Sequence, residues 1–300
     1  MKKFLTVLFL TGLLTASIEA AENSAKTAGT GKAILGISPH EKEITVTAVT
    51  ADGSPVQVEG CTVTEFPSGE ETVLTATGTK VVLKGALIEL VCYKNRLTSL
   101  DVRGLTALQE LYCQDNILTS LDVRELTGLH TLYCGKNRFT ALDIRGLTAL
   151  QELYCNDNEI ASLDVRGLTG LHTLDCDNNR LTSLDVQGLT ALQWLVCSDN
   201  QITALNVQGL PALQALGFQH NRLEEDAIIR ILNSLPDRKT DEEGLAVFYT
   251  EDDNRNEENS TDWNASDSLQ AAIKRARAKN WTIYKQIVGG DFEELEPVDE

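Results

Sequence analysis

Hydrophobic and polar residues repeat with a period of 21 along the middle of the chain. In one copy, Leu111 and Cys113 alternate with Tyr112, and Leu121 and Val123 flank a polar residue in the same way. Alternation with a period of two is typical of a β-strand with one buried side. A copy of this length leaves little room for a helix of typical length. The pattern therefore predicts a stacked solenoid, each coil having two short strands across a leucine-lined interior.

Two further positions mark every copy. A cysteine is followed three residues later by an asparagine, and Phe218 replaces the cysteine in the seventh copy. The cysteines are Cys92, Cys113, Cys134, Cys155, Cys176 and Cys197, and the asparagines are Asn95, Asn116, Asn137, Asn158, Asn179, Asn200 and Asn221. The asparagine follows the first strand, where the chain turns, and its amide can donate to and accept from buried backbone groups. The seven asparagines are therefore predicted to form a structural ladder.

The cysteines occupy an inward strand position, which predicts a column of buried free thiols. Parallel side chains in such a column fit the geometry of a disulfide poorly. A linear column also does not converge as the four ligands of zinc do. Local disulfides and a metal remain the alternatives, since cysteines in exported proteins are commonly paired.

The frame L-x-x-L-x-C-x-x-N-x-L-T-x-L-D-V-x-G-L-x-x resembles the leucine-rich repeat in its short, 21-residue bacterial form. The resemblance implies a mainly β repeat solenoid with short strands on both faces, a β N-cap and an α/β C-cap. Behind a secretion signal, such repeats look like the secreted leucine-rich-repeat surface adhesins of oral spirochaetes and Bacteroidetes. That likeness implies cell adhesion, and with it virulence, through a partner on host matrix, on host cells or on another bacterium.

The chain divides into five predicted segments. The first has two lysines, an apolar run over Phe4–Leu14 and small residues before Ala21, which is the order of a signal peptide. The segments are a signal peptide (1–20), a flexible leader (21–40), a β-rich N-terminal cap (41–86), the seven-copy solenoid (87–223) and an α/β C-terminal cap with an acidic tail (224–300). The predicted location is therefore secreted, on the outer cell surface or in the periplasm, with no membrane span.

Both caps carry patterns of their own. The predicted strands are Glu43–Val49, Glu71–Thr77, Thr79–Leu83, Leu245–Tyr249 and Trp281–Tyr284, and the predicted helices are Glu224–Leu235 and Ser268–Asn280. The acidic stretch Glu251–Glu258 resembles a calcium loop through Asp252, Asn254 and Asn256. Glu257 stands where that loop needs glycine, so a solvated acidic loop is predicted instead.

The charge of the chain restricts its partners. Removal of residues 1–20 takes away Lys2, Lys3 and Glu19 and changes the formal net charge from −18 to −19. Nucleic acid and anionic lipid surfaces would be repelled. A basic protein partner, or divalent cations that bridge to a surface, would be compatible with this charge.

The outward positions of the first strand form columns on the concave face, which is the predicted binding surface. Three consecutive tyrosines there offer the large contact area that binding hot spots favour. The candidate ligand-binding residues are Tyr112, Tyr133, Tyr154, Asp175, Trp194, Glu110, Glu152, His130 and His172. The alternative is that the stacked rings only stabilise the sheet. His130 and His172 lie two coils apart, about 9–10 Å by strand spacing, which is too far to share one metal ion.

The second strand carries an aspartate column beside an arginine column, which predicts charge compensation with a structural role. No set of nucleophile, base and orienting group is visible, so an enzyme is not predicted. Neither a cofactor nor a metal site is predicted. The predicted function is an exported protein-binding module, and the alternative is a structural or periplasmic scaffold protein without a host partner.

Overall fold

The computed structural model describes residues 31–238, 243–250, 266–286 and 292–295. The predicted signal peptide and the acidic loop with Asp252, Asn254 and Asn256 lie outside these residues. The strands are β1 (Lys32–Gly36), β2 (Glu43–Thr50), β3 (Val56–Glu59), β4 (Glu65–Phe66), β5 (Thr72–Thr75), β6 (Lys80–Lys84), β7 (Leu87–Val91), β8 (Ser99–Asp101), β9 (Glu110–Tyr112), β10 (Thr131–Tyr133), β11 (Glu152–Tyr154), β12 (Thr173–Asp175), β13 (Trp194–Val196), β14 (Ala215–Gly217), β15 (Gly244–Thr250), β16 (Trp281–Gln286) and β17 (Phe292–Glu294). The helices are α1 (Glu225–Ser234) and α2 (Asp267–Ala278).

One long sheet runs the length of the described structure, in the order β17-β16-β15-β14-β13-β12-β11-β10-β9-β7-β2-β5. Strands β7 and β9 to β16 are parallel, and equivalent residues of successive copies pair without a shift, as Leu132 does with Leu153. Identical copies favour this register because a slip of one residue would turn every leucine outward. The predicted mainly β repeat solenoid is confirmed.

The interior of the solenoid is apolar. Leu111, Leu132 and Leu153 are fully buried, and so are the cysteines two residues after them. The carbonyl and amide groups at the end of each strand bond to the next coil, as Cys113 N–H does to Tyr133 O at 2.8 Å. Each coil therefore depends on its two neighbours for both packing and hydrogen bonds.

The cysteines are free, and the ladder cysteines Cys92 to Cys197 are buried. Burial raises the pKa of Cys92 to about 12, so its thiol stays protonated at neutral pH. The prediction of buried free thiols is confirmed.

The ladder asparagines bond to backbone groups of their own coil and of the preceding one. Asn116 accepts from the N–H of Leu97 at 2.8 Å and donates to the carbonyl oxygens of Cys92 and Cys113 at 3.0 Å. Asn95 of the first copy bonds instead to the backbone of Thr45 in β2, at 2.8 and 2.7 Å. The N-terminal cap thus takes the place of a preceding coil.

The N-terminal cap differs from its prediction at residues 32–36. These residues form β1, which pairs with β6 and β8 and buries Ala33 and Leu35, so the predicted flexible leader does not extend across them. The cap has a second sheet in the order β4-β3-β6-β1-β8, while β2 and β5 continue the long sheet. Antiparallel pairing of β2 with β7 covers the first strand edge of the repeat array.

The second strand of each coil also differs from its prediction. Among the described residues, only the first copy forms it, as β8. In the later copies the alternation of burial persists. The aspartate accepts the N–H two residues on both in β8, as Asp101 does from Arg103 at 3.1 Å, and in later copies, as Asp122 does from Arg124 at 3.3 Å, so this bond does not distinguish them. β8 is a strand because it pairs with β1 of the cap, and the equivalent segments of later copies have no such partner among the described strands.

The C-terminal cap follows its prediction closely. α1 buries Ile228, Ile231 and Leu232, and β15 and β16 extend the sheet in parallel. α2 packs against α1 and β16, and Ser266 caps its first turn through the N–H of Leu269 at 3.1 Å. Trp281 is almost fully buried and donates to the carbonyl of Pro236 at 2.8 Å, which anchors β16 beneath the helices.

Candidate functional site

We use concave face for the solvent side of strands β7 and β9 to β14, which is the inner side of the horseshoe in leucine-rich repeats. Pairing places the predicted tyrosine column in register: Tyr112 opposite Tyr133, Tyr133 opposite Tyr154, and Tyr154 opposite Asp175. The second predicted column runs through Glu110, Thr131, Glu152, Thr173 and Trp194. The sequence therefore placed these side chains on one face.

The three tyrosine rings form a continuous stack. The ring centroids of Tyr112 and Tyr133 are 5.0 Å apart with planes tilted by 37°, and those of Tyr133 and Tyr154 are 4.2 Å apart at 23°. Each tyrosine is half-buried, with part of its surface in solvent. Such contacts stabilise the sheet, and they also hold the exposed edges in a fixed position.

Glutamates of the neighbouring column hold the tyrosine hydroxyls. Tyr112 donates from Oη to Glu110 Oε2 at 2.7 Å, and Tyr133 donates to Glu152 Oε2 at 2.9 Å. Burial, followed by the hydrogen bond to Glu110, raises the pKa of Tyr112 above its ordinary value, so the phenol remains the donor. Burial and the charge of Glu110 also raise the pKa of Glu89. The strip formed by Tyr112, Tyr133 and Tyr154 is thus aromatic, and Glu110 and Glu152 give it an acidic border.

The remaining predicted site residues are spread along the same face. Trp194 is half-buried, two strands beyond Tyr154 and in the glutamate column. His130 and His172 lie just before β10 and β12, half-buried and separated by the copy that contains Gln151. Their carbonyl groups accept ladder bonds from Gln151 and Gln193, each at 2.8 Å. The structure brings the tyrosines and glutamates together, but it does not bring the two histidines together.

Asp175 departs from the surface role that its position predicts. It is 8% exposed, and burial raises its pKa to about 6. Its carboxylate accepts the N–H of Asp177 at 3.1 Å. Burial, followed by the charges of Asp175, Asp199 and Asp157, raises the pKa of Asp177 to about 8. This second aspartate belongs to a column, one residue after the cysteines, that sequence reasoning missed.

The missed column was visible in the repeat register. Position by position it reads Tyr93, Gln114, Gly135, Asn156, Asp177, Ser198 and Gln219. In the fifth, sixth and seventh copies it is polar, while the tyrosine column beside it becomes Asp175, Val196 and Gly217. Comparison of both columns together would have shown that the face changes character after Tyr154.

The opposite side of the coil carries ion pairs within each copy. Arg124 donates from Nε and Nη2 to the two carboxylate oxygens of Asp122 at 2.9 and 2.8 Å. Equivalent pairs join Asp101 to Arg103, Asp143 to Arg145 and Asp164 to Arg166. The hydrogen bonds from Arg124 lower the pKa of Asp122 to about 2. Exposed pairs of this kind contribute little free energy, and their regular geometry agrees with the predicted structural role.

The described residues lack both a metal-ligating group and a membrane-spanning helix. In that part of the chain, no three His, Cys, Asp or Glu side chains are placed to hold a metal ion. Neither of its helices has the length and apolar character that crossing a membrane requires.

The chain is similar to known repeat proteins over part of its length. Residues 148–189 match the family model of leucine-rich repeats (2 copies). No curated protein matches the chain. A leucine-rich-repeat protein of Leptospira interrogans shares 29% identity over 43% of this chain and 36% of its own, with a TM-score of 0.39. The coil described above and the matched repeats together identify the fold as a leucine-rich-repeat solenoid.

Two proteins of Listeria monocytogenes are also similar in structure. The internalin InlF shares 26% identity over 48% of this chain and 45% of its own, with a TM-score of 0.42. The functional domain of InlJ, which is described as including a cysteine ladder, shares 23% identity over 58% of this chain and 51% of its own, with a TM-score of 0.32. The chain spans about half or less of each of these three proteins.

Proposed function

We propose that this chain is an exported protein-binding module that mediates adhesion through its concave face, with a protein on host matrix or on another bacterium as partner. The leucine-rich-repeat solenoid is generally an interaction scaffold rather than an enzyme, and its extended sheet suits that role. The observation that carries the proposal is the stack of Tyr112, Tyr133 and Tyr154, partly exposed on one face, with the hydroxyls of Tyr112 and Tyr133 bonded to glutamates.

The size of the tyrosines is not required by the core. The inward positions of the same strands are filled by fully buried leucines and cysteines, such as Leu132 and Cys134. In later copies the tyrosine position holds Asp175, Val196 and Gly217 without loss of the strand register. The fold therefore tolerates small side chains there, which supports a binding role in addition to the stacking.

Because the stacked tyrosines are already ordered in the unbound chain, binding a partner costs less conformational entropy. Free aromatic side chains lose rotamer freedom when a partner immobilises them. Stacking at 4.2 Å and the hydrogen bond to Glu152 already restrict Tyr133 in the unbound chain. A partner thus meets a preorganised surface, and the loss of one ring should affect affinity more than an average interface residue does.

Truncation of the central ring should weaken binding while the fold survives. Tyr133→Ala is expected to cost about 1–3 kcal/mol of binding free energy, because it removes the ring that touches both neighbours. Tyr112→Ala and Tyr154→Ala should cost less each. Binding is measured on immobilised extracellular-matrix proteins and on whole co-colonising bacteria, with circular dichroism to verify the fold.

The matched control is Asp143→Asn, on the opposite side of the coil from Tyr133. Asn206 occupies the same position in a later copy, so this control should fold and bind as the unaltered chain does. Equal binding by all three tyrosine variants would move the site elsewhere and leave stacking as the role of the rings.

The alternative is a structural or periplasmic scaffold without a host partner, and it makes a different prediction about location. An adhesin must be accessible from outside the cell, so external protease should remove it from intact cells. A periplasmic scaffold should be protected until the outer membrane is opened. Cell fractionation with protease treatment of intact and permeabilised cells separates the two, and protection in intact cells would contradict adhesion.

A further inference from the structure

A groove crosses the long sheet where the N-terminal cap meets the repeat array. Its volume is about 210 Å³. Its lining includes Thr45, Thr47, Glu71, Val91, Tyr93 and Lys94. Pockets that enclose a whole small molecule are larger, at roughly 300–1,000 Å³. The groove therefore has the size for one side chain of a larger partner.

The groove continues the tyrosine column toward the N-terminus. Val91 of β7 lies opposite Thr47 of β2 on one side and opposite Tyr112 of β9 on the other. Residues that lie directly opposite each other project to the same side of a sheet. The groove and the stacked rings therefore share one side of the long sheet, and a partner that lies along the tyrosines also reaches the groove.

Apolar side chains border the groove on both sides. β2 lies between β5 and β7, and its outward side chains here are the short threonines Thr45 and Thr47. Thr45 lies opposite Val73, which is 60% exposed, and Tyr93 is 38% exposed. Among the described residues, Val63 is the only other large apolar side chain with comparable exposure. Apolar groups that are exposed together, rather than singly, mark interaction sites.

Three carboxylates lie in or beside the groove. Glu71 is part of the lining, Glu89 precedes Val91 by two residues on the same side of β7, and Glu110 lies opposite Glu89. Within the described ranges, none of the three makes an ion pair with a basic side chain. Like charges directly opposite each other destabilise a sheet. Burial and the charge of Glu110 raise the pKa of Glu89, as expected of a carboxylate that lacks a counter-charge.

A single lysine gives the groove a direction. Lys94 is part of the lining, and its Nζ lies 5.7 Å from the centroid of the Tyr93 ring. Glu89, Val91 and Tyr93 follow one another along the chain, so Glu89 lies toward one end of the groove and Lys94 toward the other. A positive charge from a partner would be attracted to the acidic end and repelled from the end with Lys94. The formal net charge of −18 also favours a basic partner.

We propose that this groove binds an arginine side chain of the protein partner, with the guanidinium directed toward Glu71 and Glu89. The alkyl stem would lie on Val91 and Tyr93, as the stems of long basic side chains do on apolar surface. Arginine fits better than lysine because its planar fork matches carboxylates and it is more weakly hydrated. The partner is the protein of the proposed adhesive function, on which this assignment rests.

Titration of the full chain with a synthetic peptide tests the groove. The probe is a short peptide in which arginine alternates with serine. Two comparison peptides carry lysine or citrulline in place of arginine, and citrulline keeps the shape of arginine without its charge. In calorimetric titration at low salt, the arginine peptide is expected to bind about tenfold more tightly than the citrulline peptide, because charged hydrogen bonds are lost in the latter. The lysine peptide should fall between them.

Four variants locate the bound peptide, with circular dichroism to verify each fold. Glu89→Gln should weaken binding of the arginine peptide about tenfold, because it removes one carboxylate of the acidic end. Thr47→Phe fills the groove with a residue that strands accept well, and it should abolish the preference for arginine over citrulline. Glu125→Gln makes the same change in net charge at an exposed turn where other copies have glycine, and Val63→Phe adds an aromatic ring outside the groove. Both controls should bind as the unaltered chain does.

The results separate the groove from the tyrosine strip. Equal binding of the arginine and citrulline peptides would overturn the groove assignment, and so would equal losses in Glu125→Gln and Glu89→Gln. If Thr47→Phe loses the peptide while Tyr133→Ala retains adhesion to matrix, the groove is supported and the adhesive strip is contradicted. If Tyr133→Ala loses adhesion while Thr47→Phe retains both activities, the strip is supported and the groove assignment is wrong.

Discussion

Replacement of Leu132 with aspartate is expected to unfold the repeat array. Leu132 is fully buried in β10, at the middle of the parallel strands, and pairs in register with Leu111 and Leu153. The variant would place an unpaired charge in an apolar column and also leave a cavity. Changes of this kind cost more than about 4 kcal/mol. Because each coil packs only on its neighbours, the defect should separate the array into two poorly supported halves.

Urea denaturation followed by circular dichroism measures this effect. Leu132→Met is the matched control, because it conserves volume and polarity and should cost less than about 1.5 kcal/mol. The aspartate variant should lack the native strand signal at temperatures where the methionine variant is fully folded. A midpoint for Leu132→Asp within 1 M urea of the control would contradict an apolar column at this position.

Removal of one asparagine from the ladder is expected to have the second largest effect on stability. Asn137 accepts from Leu118 N–H at 3.0 Å and donates to the carbonyl oxygens of Cys113 and Cys134 at 3.0 and 3.1 Å. Asn137→Ala leaves the buried N–H of Leu118 without its partner, which costs about 1–3 kcal/mol. The carbonyls of Cys113 and Cys134 keep one bond each, from Asn116 and Asn158, so each lost bond there costs about 0.5–1.5 kcal/mol. A total loss of about 2–6 kcal/mol follows.

Replacement of Asn137 with aspartate, which has the same shape but carries a charge, tests its donor role separately from its acceptor role. Asn137→Asp keeps the acceptor for Leu118 but turns a carboxylate oxygen toward two carbonyl oxygens. It should therefore be at least as destabilising as Asn137→Ala in the same denaturation experiment. Asn206→Ala is the control, because Asn206 is exposed and makes one local bond to Gln208 N–H at 3.0 Å. Comparable losses for Asn206→Ala and Asn137→Ala would show that the ladder does not hold the coils together.

Much of the fold could be predicted from the repeat because its interactions are periodic. Once one copy alternates as Leu111, Tyr112 and Cys113 do, stacking in register fixes which side chains face inward in every copy. The tyrosine column and the asparagine ladder follow from the same register. Helix α1 was also predictable, because its apolar spacing and the proline after it are local signals.

Strand β1 was not predictable, because its stability is not local. Residues 32–36 read Lys-Ala-Ile-Leu-Gly, a short segment after a stretch rich in alanine, glycine and lysine. It becomes a strand by pairing with β6 and β8, which lie about 50 and 65 residues further along the chain. The second-face strands of the later copies are missing for a related reason: β8 is a strand because it pairs with β1, and the later copies have no such partner in the described part of the chain.

The sequence by itself determined the architecture, the inward and outward positions, and the identity of the aromatic strip. Only the tertiary structure decided how deeply each outward residue is buried. Tyr154 and Asp175 occupy equivalent positions, yet the first remains partly exposed and the second is buried. Burial depends on the side chains of adjacent coils, which a pattern read along one chain does not contain.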